Sequence, residues 1–253
     1  MIERSLTHLT WTDIRDLDKQ HGVLLLPVGA IEQHGPHLPV ATDTLLVTNV
    51  LKRALQLLPQ EVAAWRLPAL SYGKSNEHEA FPGTISLSGE TFLAVLKDVA
   101  RSVARAGFRR LTFVNGHGGN AALLEVAARD IRAETGLMVF CIQPAFWIEP
   151  PFKISEQEKK YGIHAGELET SLVLALHPGI VKMEKAVKHY ITPPMDLFGS
   201  VSVAWLTPDW SESGVFGDAT AASPDKGIAL LDHASKRLAN VIAEISKFEV
   251  GNV

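Results

Sequence analysis

Six consecutive apolar residues, Val23–Val28, lead directly into Gly29-Ala30-Ile31-Glu32-Gln33-His34-Gly35-Pro36-His37. A short, uninterrupted apolar run reads as a strand buried on both faces, as in parallel sheets covered by helices. In such sheets ligands bind beyond the carboxyl ends of the strands. The run therefore limits both the fold and the place where chemistry can sit.

The rest of the chain repeats this alternation. Thr44–Leu58 carries Leu45, Val50, Leu51, Leu55 and Leu58 on or near one helical face. Ser88–Ala106 reads as a second helix, ended by Gly107. Leu111–Val114 is a strand, Ala121–Glu134 a helix and Leu137–Ile142 the next strand. Glu167–Leu176 is helical and stops at Pro178-Gly179, and Gly227–Lys247 is a long terminal helix. Strands alternating with helices predict an α/β fold with a largely parallel sheet. The 253 residues contain no repeat or Ser/Gly linker, which suits one large domain or two small ones. Two stretches break the pattern: 144–161, with Pro144, Pro150 and Pro151, and 190–224, with Trp205 and Trp210. Both read as long irregular loops, suited to a lid or a subunit contact.

A net charge of −4 argues against a nucleic-acid binder, which needs a basic surface. No run approaches the roughly 18 apolar residues of a membrane span. The opening Met1-Ile2-Glu3-Arg4-Ser5 lacks the basic-then-apolar pattern of a signal peptide. A cytoplasmic protein is the expectation. The single cysteine, Cys141, rules out an internal disulfide and reads as a core residue.

Four polar stretches carry candidate chemistry. In the first, Glu32 and His34 are two apart, so in extended chain both side chains fall on one side. A carboxylate and an imidazole converging there suit a cation of intermediate hardness such as Zn, Mn or Fe. Asp43 follows at the start of a helix, where it can equally serve as an N-cap. His37 can equally be a loop histidine bonded to backbone. The second stretch is Asn115-Gly116-His117-Gly118-Gly119-Asn120, between a strand and a helix. Asn120 reads as the helix cap, and His117 stands above a strand end where it can meet the first cluster. Gly116-x-Gly118-x-x-Ala121 also loosely matches a dinucleotide-binding turn. However, Glu134 ends the helix and does not sit at the tip of the next strand, so a nicotinamide-binding protein is the lesser reading.

The third stretch is His164-Ala165-Gly166-Glu167-Leu168-Glu169-Thr170-Ser171. If all of it is helical, His164 and Glu167 share a face and Glu169 points elsewhere. If Gly166 breaks the chain first, His164 escapes that argument. Glutamates in a first helical turn also suit the helix dipole. The fourth stretch, Ser71 to Thr84, contains Glu77-His78 and reads as a polar loop ahead of a short strand, Ile85–Leu87.

Together these stretches resemble the creatininase family of metal-dependent amidohydrolases. The likeness rests on Gly29 to Pro39, Asp43, Glu77-His78 with Phe81-Pro82-Gly83-Thr84, Asn115-Gly116-His117, and His164-Ala165-Gly166 with Glu169-Thr170-Ser171. It covers roughly residues 10–180. It implies a three-layer α/β/α sandwich over 1–253 as a single domain, a homohexameric assembly and two divalent ions (Zn, Mn or Fe). By the same likeness Glu32, Asp43 and His117 hold one ion, and His34 and Asp43 the other, with Asp43 as bridge. In creatinine-hydrolysing members Tyr-Glu follows the motif histidine and completes the second metal site. Here Gly118 and Gly119 stand in those places. Glu169 is the expected substitute ligand, with Glu167 in reserve.

The departure shifts the expected substrate from creatinine to another small amide: a cyclic amide, a formamide or a related C–N bond. Branches with Gly-Gly resemble formamidopyrimidine deformylases and peptidases that mature a peptide-derived cofactor. In the expected mechanism Glu169 carries a proton from water to the leaving nitrogen and His164 is the candidate acid. His78 or His37 orients ligands or substrate, and Trp147 closes over the pocket. A non-catalytic metal-binding protein of the same fold is the alternative.

Overall fold

The computed structural model describes residues 3–143, 149–191 and 203–251. Strands β1 (Val23–Val28), β2 (Ala64–Arg66), β3 (Arg110–Asn115) and β4 (Met138–Ile142) form a central sheet in the order β2-β1-β3-β4, all parallel. Helices α1 (Trp11–Arg15), α2 (Thr42–Leu57), α3 (Gly89–Arg105) and α4 (Ala121–Thr135) alternate with these strands. Among the described residues, α5 (Glu156–Tyr161), α6 (Glu167–Leu176) and α7 (Pro224–Lys247) follow. Between α6 and α7, β5 (Lys188–His189) and β6 (Gly217–Asp218) make a small antiparallel pair.

The layering follows from the pleat. Successive side chains of a strand face opposite sides. Val23 and Leu25 join one buried core with Val47, Leu51, Leu172 and Leu238, from α2, α6 and α7. Leu24, Leu26 and Val28 join a second core with Phe92, Leu96 and Leu124, from α3 and α4. The result is the expected three-layer α/β/α sandwich. Ser88, Ser155 and Ser223 each accept an N–H of the helix they precede, and Gly136 ends α4 in the left-handed conformation at φ 74°.

Three local expectations are corrected. Ile85–Leu87 is not a strand: Ile85 makes one isolated antiparallel bridge to Ile31, too little for a ladder. The 144–161 stretch contains helix α5, nucleated by its Ser155 cap. Cys141 is only partly buried, packed at the margin of the second core. Trp147 lies outside the described residues. Trp205 and Trp210 pack on each other at 5.5 Å and on Phe216, forming a small cluster of their own. Among the described residues no helix is long and apolar enough to cross a membrane.

Sheet register sets up the site. Val28 pairs with Asn115, so the chain leaves β1 and β3 at one level. The N-terminal end of α2 packs against the β3 exit: a Cβ on Gly116 would lie 2.9 Å from both the Asp43 carbonyl oxygen and Val47 Cβ. Only glycine permits that approach, and it brings Asp43 beside the loop that carries His117.

Candidate active site

Past β1 the chain runs extended, and Glu32 and His34 both turn inward, fully buried. The His34 Nδ1–H donates to the Glu32 carbonyl at 3.1 Å, which leaves Nε2 facing Asp43 Oδ1 at 3.2 Å. Glu32 Oε2 accepts the Ser75 hydroxyl. Its other oxygen, Oε1, lies 3.2 Å from His117 Nδ1, and Asp43 Oδ2 lies at the same 3.2 Å distance. Asp43 is not a helix cap: the cap position is Ala41, and the carboxylate faces the histidines. Asn120 does hold the N-cap position of α4, but its side chain makes no capping bond. Its side-chain amide donates to Gly29 O at 3.0 Å and accepts from Lys74 N at 2.9 Å, tying three loops together.

Gly166 breaks the third stretch. Helix α6 begins at Glu167, and His164 lies before it in an extended bridge to Phe216. The Ala165 N–H, in the left-handed region at φ 53°, donates to Glu169 Oε2 at 2.6 Å. Glu169 Oε2 then stands 4.0 Å from His34 Nε2. Glu167 turns the other way and pairs with Lys226 Nζ at 2.5 Å, which removes it from the cluster. The His164 Nε2–H donates to the Gln33 carbonyl at 2.7 Å, so Nδ1 faces Glu32 Oε1 at 3.6 Å. His78 Nδ1 accepts from Thr207 Oγ1 at 2.7 Å, and its Nε2 points at Glu32 Oε1 from 3.6 Å. The rings of His78 and His164 stack at 4.3 Å. His37 is not part of this gathering; its Nε2 bonds Thr170 Oγ1 at 2.8 Å.

Seven expected residues are thus brought together: Glu32, His34, Asp43, His78, His117, His164 and Glu169. Among the described residues, Glu32, Asp43 and Glu169 find ion-pair partners only in histidines. Burial and charge then sort the histidines. Burial works against a proton on His34, yet the charge of Asp43 prevails and pushes its pKa up to about 9. His117 is likewise held well above its ordinary value, against burial, by Glu32 and Asp43. Burial, with the charges of His34 and His78, drives His164 well below its ordinary value. Burial also lowers His37 to about 4 and pushes Glu169 up to about 7, the latter opposed by His34. Asp43 stays far below the usual carboxylate range because His34 and His117 outweigh its burial.

The donor set fits divalent metal. Glu32 Oε1 and Asp43 Oδ2 are buried and accept no hydrogen bond, although buried acceptors ordinarily find a donor. Glu32, Asp43 and His117 present ligand atoms within 4.8 Å of one another, and so do His34, Asp43 and Glu169. The two groups share Asp43. Gly119 abuts the first of them: a Cβ there would fall 2.4 Å from His117 Nε2.

Glu32, Asp43, His117, His164 and Glu169 line a cleft of about 440 Å³, which Gln143 also borders. Gln143 Oε1 accepts from Asn115 Nδ2 at 3.0 Å, across the ends of β3 and β4. Sequence reasoning passed over Gln33, Ser75 and Gln143. Gln33 alone carried a signal, because it lies between Glu32 and His34. A larger cavity of about 570 Å³, lined by Arg4, Lys52 and Arg66, contains none of the clustered groups.

Comparison with known proteins agrees with this geometry. The family model for creatinine amidohydrolase matches residues 7–242. The chain belongs to the creatininase family. A creatinine amidohydrolase from Pseudomonas putida is 33% identical over 241 residues, covering 88% of this chain and 89% of that protein. A mycofactocin precursor peptide peptidase from Mycobacterium tuberculosis is 35% identical over 232 residues, covering 85% and 84%. The solved structure "Creatininase Mn" superposes with a TM-score of 0.77 at 31% identity, covering 96% of this chain and 98% of that one. As a creatininase-family member the protein is a metal-dependent hydrolase of amide C–N bonds.

Proposed function

We propose that the protein hydrolyses a small amide, whether a cyclic amide, a formamide or a related C–N bond, with two divalent ions in the cleft. Glu32, Asp43 and His117 would hold one ion; His34, Asp43 and Glu169 would hold the other. The observation that carries this reading is the pair of orphaned oxygens, Glu32 Oε1 and Asp43 Oδ2, on either side of the His117 Nδ1. Zn, Mn and Fe all suit such a mixed His/carboxylate set, and the Mn-bearing relative supports the choice. A homohexamer is part of the same reading, supported by the family likeness.

Divalent ions in this position supply Lewis acidity, polarising an amide carbonyl and making hydroxide available near neutral pH. The protein's own groups do the rest. Glu169 is the carboxylate that would take a proton and release it to a leaving nitrogen. His164 is held neutral with its Nε2–H committed to the Gln33 carbonyl. It therefore offers Nδ1 as an acceptor that orients substrate, and the proton carrier is Glu169. His78, pinned by Thr207, supports Glu32 from behind. Burial of the whole cluster excludes competing water and strengthens each interaction.

The test is hydrolysis of creatinine, cyclic imides, N-formyl amino acids and short peptides by protein loaded with Mn²⁺ or Zn²⁺, with and without chelator. Chelator-sensitive turnover of one class supports the reading. Turnover confined to peptides favours the peptidase branch, to which the 35% identity to the mycobacterial enzyme also points. No turnover across the panel, with metal bound, favours a non-catalytic metal-binding protein.

A further inference from the structure

Glu77 is a fourth carboxylate at this cluster, and the mechanism above gives it no role. It lies in a single 3-10 turn, Asn76–His78, with its side chain 20% exposed. Its Oε1 sits 3.4 Å from His117 Nε2, and the Lys74 carbonyl sits 3.0 Å from the same nitrogen. On the opposite side of the ring, Nδ1 faces Glu32 Oε1 and Asp43 Oδ2 at 3.2 Å each. One imidazole is therefore gripped from behind by two acceptors while its other nitrogen faces two carboxylates.

Gly119 belongs to this grip. A Cβ at that position would fall 2.5 Å from Glu77 Oε1, 2.5 Å from Lys74 O and 2.4 Å from His117 Nε2. All are below any real Cβ contact, so the converging groups leave no room for a side chain. Gly118, next to it, meets nothing within 4 Å. The need for glycine is thus local to the position where Glu77, Lys74 O and His117 converge.

Given the metal site proposed above, we propose that Glu77 is a positioning residue: with the Lys74 carbonyl it binds the His117 Nε2–H and holds Nδ1 toward the metal position. An acceptor behind a metal-binding imidazole fixes its tautomer and ring orientation and raises its basicity. Losing such an acceptor costs about 10–100-fold in metal affinity.

The experiment is Zn²⁺ binding by chelator competition on wild type, Glu77→Ala and Glu77→Gln, together with thermal unfolding of the metal-free proteins. Glu77→Ala should bind Zn²⁺ about 10–100-fold more weakly. Glu77→Gln, which keeps an acceptor oxygen, should recover most of that loss, and the unfolding curves confirm that each metal-free protein is folded. Equal Zn²⁺ affinity in wild type and Glu77→Ala overturns the proposal, and so does a loss that Glu77→Gln fails to recover. Should Glu77→Ala not fold, the ¹⁵N ring spectrum of Zn²⁺-loaded Glu77→Gln decides: a shifted His117 Nε2–H signal supports the role and an unmoved one overturns it. If wild type itself binds no Zn²⁺, the metal reading falls first and this inference with it.

Discussion

His34 Nε2 lies 3.2 Å from Asp43 Oδ1, with the two side chains 0% and 3% exposed. A proton on that imidazole is stabilised by the carboxylate beyond what burial takes away, which raises the folded-state pKa to about 9. A raised histidine pKa contributes stability that is complete below the unfolded value near 6.5 and is lost as pH climbs through the folded value. Glu169, also raised, loses stability over a lower range as it ionises. Histidines lowered in the fold, such as His37 and His164, work the other way, but only below the unfolded value near 6.5. Chelator-stripped protein should therefore melt at progressively lower temperature from about pH 6.5 to about pH 9. His34→Asn should flatten the upper part of that slope. Calorimetry on metal-free samples checks it; a midpoint that rises over the same interval would contradict the His34–Asp43 contact.

The shared position of Asp43 leads to a stoichiometric prediction. Of the two proposed sites, Glu32→Ala and His117→Ala each remove a ligand from one, whereas Asp43→Ala removes a ligand from both. Metal analysis should show about one equivalent lost in the first two and near-complete loss in the third. Full metal content in all three variants would rule out the assignment.

Glu169→Gln separates ligand from proton carrier. The Ala165 N–H bond to Oε2 survives in the amide only if its oxygen takes that place, and an amide cannot carry a proton. Loss of one metal equivalent shows a ligand role. Retained metal with turnover reduced about 10²–10⁴-fold shows acid–base work. Unchanged metal and unchanged turnover exclude both.

Which of these features could be read from residues alone depended on how local their cause was. Val23–Val28 is a strand with the expected limits because its burial pattern is written in six adjacent residues. Glu169 and Glu167 could not be separated without knowing that Gly166 ends the extended segment and starts the helix count. The side chains of Asp43 and Asn120 both looked like capping groups, and Asn120 does sit at the cap position. Their true partners, His117 and the Gly29 carbonyl, come from other loops, and no spacing rule encodes them. The Ile85–Leu87 stretch had strand composition, but its backbone bonds go to two different loops, Ile85 to Ile31 and Leu87 to Gly73, so it stops at one bridge.

Cys141 offers a chemical check on the second core. Burial, with Glu125 nearby, pushes its thiol up to about 11. Only about one thiol in a thousand is then ionised at pH 8, against roughly a quarter for an unperturbed cysteine near 8.5. Iodoacetamide labelling of native protein should run on the order of 100-fold slower than labelling in denaturant. Comparable rates in both states would mean that the β4 edge opens readily.

Glu158 is the residue whose importance was least visible beforehand. Its buried carboxylate accepts the Glu167 N–H at 2.8 Å, the Asp218 N–H at 2.9 Å and the Tyr190 hydroxyl at 2.9 Å. Cβ atoms on Gly162, Gly166 or Gly217 would each come within 3.0 Å of it. It thereby clamps the segment that carries His164 and Ala165, and hence the N–H that aims Glu169. In Glu158→Gln the new amide must turn an N–H₂ toward a backbone donor and leave a buried group unpaired. That costs about 1–3 kcal/mol, or roughly 2–10 °C in the unfolding midpoint for a chain of this size. Binding at the His34–Asp43–Glu169 group should weaken more than at the Glu32–Asp43–His117 group, which rests on other loops. Metal titration beside thermal unfolding tests both halves. A midpoint within about a degree of wild type would show that the clamp bears no weight, and equal weakening of both metal equivalents would show that it does not act through Glu169.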